Sequence, residues 1–230
     1  MDYARVLCIG DCHGKFGRFQ SLYKKIKPTD EDLLIYLGDY IDRDKTPRGS
    51  VEMLSWVMNE SKKPNVIVLR GNHEQMMLDF YVNGDPTWTY GNNGSKETEP
   101  KMNAWFNEEA GLKEKVLNFL DSLPLYHRIK IKNKEYFICH AGINPKNSLD
   151  EQVADDLLWT RGFYKYYHGE TTIVVGHTPV QSLDLPAKPI KVPSRNVYLI
   201  DTGSFFDEGR ISCIDLVSGR VWRSDPKVKD

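Results

Sequence analysis

The chain has 230 residues, 40% of them hydrophobic, which suits one domain with a sizeable core. A formal net charge of -1 gives no global attraction to nucleic acid or to an anionic membrane, and no apolar stretch is long enough to cross a bilayer. Cys8, Cys12, Cys139 and Cys213 lack zinc-type spacing and lie in or beside strand-like runs, so reduced, buried thiols and a cytoplasmic location are expected.

Strand-like character begins at Arg5, so no signal peptide is expected. The run Arg5 to Ile9 reads as a buried strand closed by Gly10-Asp11-Cys12-His13-Gly14. Phe16, Phe19, Leu22, Tyr23 and Ile26 then fall at helical spacing. A second strand, Asp32 to Leu37, ends at Gly38-Asp39-Tyr40-Ile41-Asp42-Arg43, and Val51, Leu54, Val57 and Met58 mark the next helix. The third strand, Val66 to Leu69, ends at Gly71-Asn72-His73-Glu74, with a helix expected from His73 to about Val82. Asp39 follows Asp11 by 28 residues and Asn72 follows Asp39 by 33, which suits successive βαβ units.

Gly84 to Pro100, rich in Gly, Asn, Thr and charge, is expected to be a long surface loop. One helix is expected from Met102 to Leu123, burying Trp105, Phe106, Leu112, Val116, Phe119 and Leu120. His127 to Lys132 is expected to pair with Glu135 to Cys139 across Asn133-Lys134, ahead of His140-Ala141-Gly142. Thr171 to Val175 ends at Gly176-His177-Thr178. Val197 to Ile200 follows, then a hairpin of Ile211 to Val217 with Val221 to Arg223 through Ser218-Gly219. Helices dominate early and strands late, which predicts an α/β fold with a central two-sheet β-sandwich flanked by α-helices. A single domain over 1–223 and a charged tail over 224–230 are expected.

Ligands collect at the carboxyl ends of strands in α/β proteins, so these strings gather Asp, His, Asp, Asn, His and His on one rim. Asp11 and His13 alternate around Cys12 and can reach the same ion. Asp39 offers two oxygens, able to bridge ions about 3.5–4 Å apart. Asn72, His140 and His177 supply an amide oxygen and two imidazoles to a second ion. An oxygen and nitrogen donor set without thiolate suits two divalent ions, manganese first, with iron or zinc as alternatives. Such a pair can hold a bridging hydroxide and cradle a phosphoryl group. Glycine before Asp11, Asp39, Asn72 and His177 is expected to let backbone pass close and turn sharply. His73 is not needed for coordination, and Asp42 can hold one of its nitrogens, stabilising an imidazolium that protonates the departing oxygen. Arg43, and Arg161 in Leu158-Trp159-Thr160-Arg161-Gly162, are placed to grip phosphate with planar forks.

These strings resemble the calcineurin-like metallophosphoesterases, and within them the phosphoprotein phosphatases, especially compact bacterial and phage lambda-type members. The resemblance runs from about Arg5 to Leu216. It includes Gln75-Met76-Met77, Asn93-Gly94 with Thr98, and Ile200-Asp201-Thr202-Gly203. Glu74 after His73 and Arg43 after Asp42 look like the protein-phosphatase branch. By that resemblance Asp11, His13 and Asp39 hold one metal, and Asp39, Asn72, His140 and His177 the other. His73 with Asp42 acts on the leaving group, while Arg43, Arg161 and Asn72 bind phosphate. The implied fold is the same helix-flanked β-sandwich. The implied activity is a serine/threonine protein phosphatase, with phosphotyrosine as a further substrate, acting on a phosphorylated protein or peptide. The alternative is a hydrolase of dinucleoside polyphosphates such as diadenosine tetraphosphate. A non-catalytic scaffold ranks last, because no ligand is missing.

One departure is length. The family pattern reaches its helix-opening Ser sooner, whereas Asp44-Lys45-Thr46-Pro47-Arg48-Gly49 here separates Arg43 from Ser50, three residues more. A tolerated surface insertion is expected, with Lys45 and Arg48 meeting a second phosphate as the alternative. The aromatic stretch Phe163-Tyr164-Lys165-Tyr166-Tyr167-His168 is expected to pack more than to touch substrate.

Overall fold

The computed structural model describes residues 3–46, 48–91, 94–226 and 228, so Pro47, Asn93 and part of the charged tail lie outside the described residues. The strands are β1 (Arg5–Ile9), β2 (Asp32–Tyr36), β3 (Val66–Val68), β4 (Tyr126–Ile131), β5 (Lys134–Cys139), β6 (Thr172–Val175), β7 (Ile190–Lys191), β8 (Val197–Leu199), β9 (Ser212–Asp215) and β10 (Val221–Arg223). The helices are α1 (Phe16–Ile26), α2 (Gly49–Glu60), α3 (Asn72–Leu78), α4 (Thr87–Tyr90), α5 (Ser95–Phe106), α6 (Leu112–Ser122) and α7 (Ala154–Trp159). They build two mixed sheets, ordered β10-β9-β1-β2-β3 and β4-β5-β6-β8-β7. Within them β1-β2-β3 and β5-β6-β8 are parallel, and antiparallel pairs β9-β10, β4-β5 and β7-β8 form the other edges, β3 being a parallel edge.

Both faces of the parallel strands are buried, which explains why they read as continuous apolar runs. Val6, Cys8, Leu33 and Ile35 meet Tyr136, Ile138 and Val174 between the sheets. Their neighbours Leu7, Ile9, Leu34 and Tyr36 turn outward onto Phe19, Leu22 and Val57 of α1 and α2. On the far side Phe137, Cys139, Ile173 and Val175 pack on Ile143, Leu157 and Phe163. The helix-flanked sandwich expected from the sequence is therefore the fold. Among the described residues no helix is long and apolar enough to cross a membrane.

Three expectations change. Gly84 to Pro100 is not a long loop: α4 and most of the first two turns of α5 lie there, and Trp88 is fully buried. The inward side of α5 starts with Ser95 and Thr98 before Met102, so apolar periodicity is absent where the helix begins. The helix expected over Met102 to Leu123 is two helices, separated where Gly111 adopts φ 79° to start α6. Phe119 is accordingly only half-buried. The hairpin between β4 and β5 turns one residue early, at Lys132 (φ 54°), with Ile131 opposite Lys134.

Candidate metal centre

Loops from the two sheets meet at one end of the sandwich. The Nε2 of His140, after β5, lies 3.4 Å from Oδ1 of Asp39, after β2. The His177 N–H, after β6, donates to both oxygens of Asp11, after β1, at 3.0 and 3.1 Å. Gly38 and Gly71 allow the β2 and β3 loops to touch. A Cβ on Gly38, itself at φ 101°, would sit 2.6 Å from the Gly71 Cα, and one on Gly71 would sit 2.3 Å from the Asp39 nitrogen.

The sharp turns expected of glycines fall mostly on the chemical residues themselves. His13, Asp39, Asp42, Arg43 and His177 all have φ between 47° and 71°. Such backbone is strained for residues with a Cβ, by about 1–3 kcal/mol each, and persists only where surroundings enforce it. Glu74 is one enforcer: its buried carboxylate accepts the N–H groups of Asp39 (2.8 Å), Tyr40 (2.8 Å) and Gly71 (3.0 Å).

The donor atoms fit cations. His140 Nδ1–H donates to the Leu37 carbonyl at 2.9 Å, so its Nε2 carries a lone pair. That lone pair faces the Asn72 oxygen at 2.9 Å and Asp39 Oδ1 at 3.4 Å, both acceptors. His13 repeats the pattern, donating from Nδ1 to the Ile41 carbonyl (3.0 Å) while Nε2 faces Asp39 Oδ2 at 3.6 Å. His177 sets Nδ1 2.9 Å from the Asn72 oxygen and leaves its buried Nε2 without a hydrogen-bond partner. Acceptors converging on acceptors in a buried site call for positive charge between them. Two buried groups have ligand atoms within 4.8 Å of one another, His13, Asp39 and His73 in one and Asp39, His140 and His177 in the other. Asp39 is common to both. The residues thus fit a dinuclear divalent centre.

Electrostatics agree. Burial drives His13 and His140 below the ordinary imidazole range and His177 down to about 2, which leaves neutral, ligand-ready rings. Burial opposes ionisation of Asp39, yet attraction to any proton carried by His140, His73, His13 or His177 holds it below the usual carboxylate range. Burial, then Asp201 and Asp39, pushes Asp11 well above that range.

His73 sits apart in its bonding. Its Nδ1 lies 2.5 Å from Asp42 Oδ2, and that oxygen also accepts the Trp88 indole N–H at 2.9 Å. Its Nε2 lies 3.4 Å from an Arg43 nitrogen and 3.9 Å from Asp39 Oδ2. Arg161 donates to the His177 carbonyl at 2.8 Å and to Thr178 Oγ1 at 3.1 Å. The ten residues expected to hold metal, phosphate or the leaving group (Asp11, His13, Asp39, Asp42, Arg43, Asn72, His73, His140, Arg161 and His177) are therefore gathered at this rim. Three others there had been given no role: Trp88, Asp201 and Phe205. Asp201 follows β8 and was findable by the rule that chemistry sits at strand ends, but no glycine precedes it. Burial raises its carboxyl to about 7.

Within the insertion, Asp44 caps the start of α2. Asp44 accepts the Ser50 N–H at 2.9 Å and its hydroxyl, and takes Lys101 at 2.7 Å. Arg48 is engaged by Glu108 at 2.8 Å on the surface. In the aromatic stretch Phe163 and Tyr167 are core residues and Tyr166 is exposed.

A family model described as calcineurin-like phosphoesterase matches residues 4–217. The bis(5'-nucleosyl)-tetraphosphatase PrpE of Bacillus cereus (strain Q1) is 29% identical over 200 residues, which cover 75% of this chain and 78% of that protein. Serine/threonine-protein phosphatase 1 of Salmonella typhimurium is 27% identical over 219 residues, 89% of each chain. A crystal structure of a putative diadenosine tetraphosphatase shares the fold with a TM-score of 0.67, covering 97% of this chain and 95% of that one at 16% identity.

Proposed function

This chain belongs to the calcineurin-like phosphoesterase family and is a hydrolase, and we propose that it removes phosphate from phosphoserine and phosphothreonine in proteins, with phosphotyrosine as a further substrate. The observation that carries this reading is the buried pair of His73 and Asp42, 2.5 Å apart and braced by Trp88. Serine leaves a phosphate monoester as an alkoxide, which needs a proton in the transition state. A dinucleoside polyphosphate instead releases a nucleotide through a phosphate oxygen, a far better leaving group. An acid held this firmly suits the ester.

In this reading Asp11, His13 and Asp39 hold one ion, and Asp39, Asn72, His140 and His177 the other, with manganese the expected metal. When bound, the ions supply charge that polarises the phosphoryl group and acidifies the attacking water. Arg43, Arg161 and the Asn72 amide hold the phosphoryl oxygens. His73 keeps its Nδ1 proton on Asp42 and donates the catalytic proton from Nε2. Burial pulls that imidazole down, but the Asp39 and Asp42 carboxylates outweigh it and hold His73 above its ordinary value.

Hydrolysis of dinucleoside polyphosphates is the second reading, favoured by the identity to PrpE. The engagement of Arg48 by Glu108 weakens it, since that cation was a candidate for a second phosphate. Parallel kinetics with manganese on a phosphoserine peptide and on diadenosine tetraphosphate decide between them. The peptide is expected to have the higher kcat/KM by at least about tenfold, a difference near 1.4 kcal/mol in the barrier. The reverse order would transfer the assignment to the polyphosphate.

A further inference from the structure

Phe205 lies in the loop between β8 and β9, where its ring touches two residues of the site. The Arg43 guanidinium carbon sits 4.1 Å from the ring centroid. The His13 imidazole meets the same ring edge-on, with centroids 5.3 Å apart at 84°. The loop that presents this ring is held from behind by Arg18 of α1, a largely buried side chain. Its Nη1 donates to the carbonyls of Ser204 (2.6 Å), Phe206 (2.9 Å) and Gly209 (3.1 Å), and its Nη2 to that of Asp207 (3.2 Å). One guanidinium bonded to four carbonyls of one short loop, with an Nη1 hydrogen shared between two of them, fixes the backbone on both sides of Phe205. At the base of the loop Gly209 packs so tightly that a Cβ there would lie 1.6 Å from the Gly203 carbonyl oxygen.

Arg43 needs such support. It leaves the main chain at φ 59°, in a left-handed turn, on a long side chain with many rotamers. A guanidinium grips phosphate with the N–H groups along its edge, while its flat face is weakly hydrated and free to stack. Cation–π attraction to Phe205 holds the guanidinium over the ring and so restricts where its edge donors point. We infer that Phe205, clamped by Arg18, is a positioning residue that orients the Arg43 guanidinium for the phosphoryl group. This rests on the reading of Arg43 as a phosphate ligand.

Inorganic phosphate is the probe, through its inhibition constant against nitrophenyl phosphate on the manganese-loaded enzyme, with metal content measured for every variant. Phe205→Leu keeps the bulk and removes the π face, and is expected to raise the inhibition constant on the order of tenfold with metal content unchanged. Phe205→Tyr restores the wild-type value. In an Arg43→Ala background Phe205→Leu adds nothing, since the residue it acts through is gone. Arg18→Gln, which frees the loop, raises the constant in the same direction and adds little to Phe205→Leu. An unchanged constant in Phe205→Leu overturns the inference. So does an equal rise with and without Arg43, or a loss of metal, since either places the ring's effect on His13. If Arg43→Ala leaves phosphate inhibition intact in an enzyme that hydrolyses esters, the phosphate role of Arg43 fails and the inference falls with it. A wild-type protein that hydrolyses no phosphate ester would instead defeat the proposed function.

Discussion

His73 and Asn72 are neighbours in sequence with different bonding: the Asn72 oxygen faces two imidazoles, whereas His73 is tied to Asp42. The two positions should separate in a variant. A general acid matters in proportion to the poverty of the leaving group. His73→Asn is therefore expected to lower kcat/KM on a phosphoserine peptide by about 10²–10⁴-fold, and far less on nitrophenyl phosphate, with metal content intact. Asp42→Asn should show the same pattern more mildly. Equal losses on both substrates, or loss of metal, would make His73 something other than the acid. The pairing of His73 with Asp42 was legible because both lie in short strings at strand ends. Trp88, which braces Asp42, was not, because it lies where neither apolar periodicity nor a motif marks it. Nor were the left-handed turns at His13, Asp39 and His177. Sequence assigns positive φ to glycine, and here surrounding hydrogen bonds force it on other residues.

At the scale of elements, the segment Gly84 to Pro100 supports the site. Trp88 of α4 bonds Asp42, and a Cβ on Gly94, which caps α5, would lie 2.4 Å from the Arg43 nitrogen. The parallel strands were readable because burial on both faces makes them apolar runs. The helices from residue 95 to 122 were readable in kind but not in extent. Trp105, Phe106, Leu112 and Val116 keep a helical rhythm across the break, so only Gly111 signalled it. That glycine gives a test in which the two descriptions predict opposite signs. Nothing lies within 4 Å of a Cβ built there, so only backbone conformation is at stake. With φ at 79°, Gly111→Ala is expected to destabilise the protein by about 1 kcal/mol, measured by urea denaturation. In one continuous helix the same change would stabilise by roughly that amount.

Across the whole molecule, Asp11, Asp39 and Asn72 come from one sheet's loops, and His140 and His177 from the other's. Ions held by both sets would join the sheets at the working end of the sandwich. Metal bound by the folded state alone raises stability by mass action, so Tm should climb with manganese concentration. Asp39→Asn should be the most damaging ligand change, because Asp39 faces both groups of imidazoles. That variant is expected to bind less metal and lose most turnover; near-normal metal and turnover would remove Asp39 as the shared ligand. The helix-flanked sandwich and the order of the strings along it were legible, since both follow from hydrophobic patterning. The meeting of loops from separate sheets could only be inferred from motif chemistry, because pairing across the sandwich leaves no local trace. The most direct test of the central claim is a titration of rigorously metal-free protein with manganese, following bound metal and nitrophenyl phosphate hydrolysis together. Activity is expected to be absent without metal and to reach its plateau as the dinuclear site fills. Full hydrolysis by the metal-free protein would contradict it.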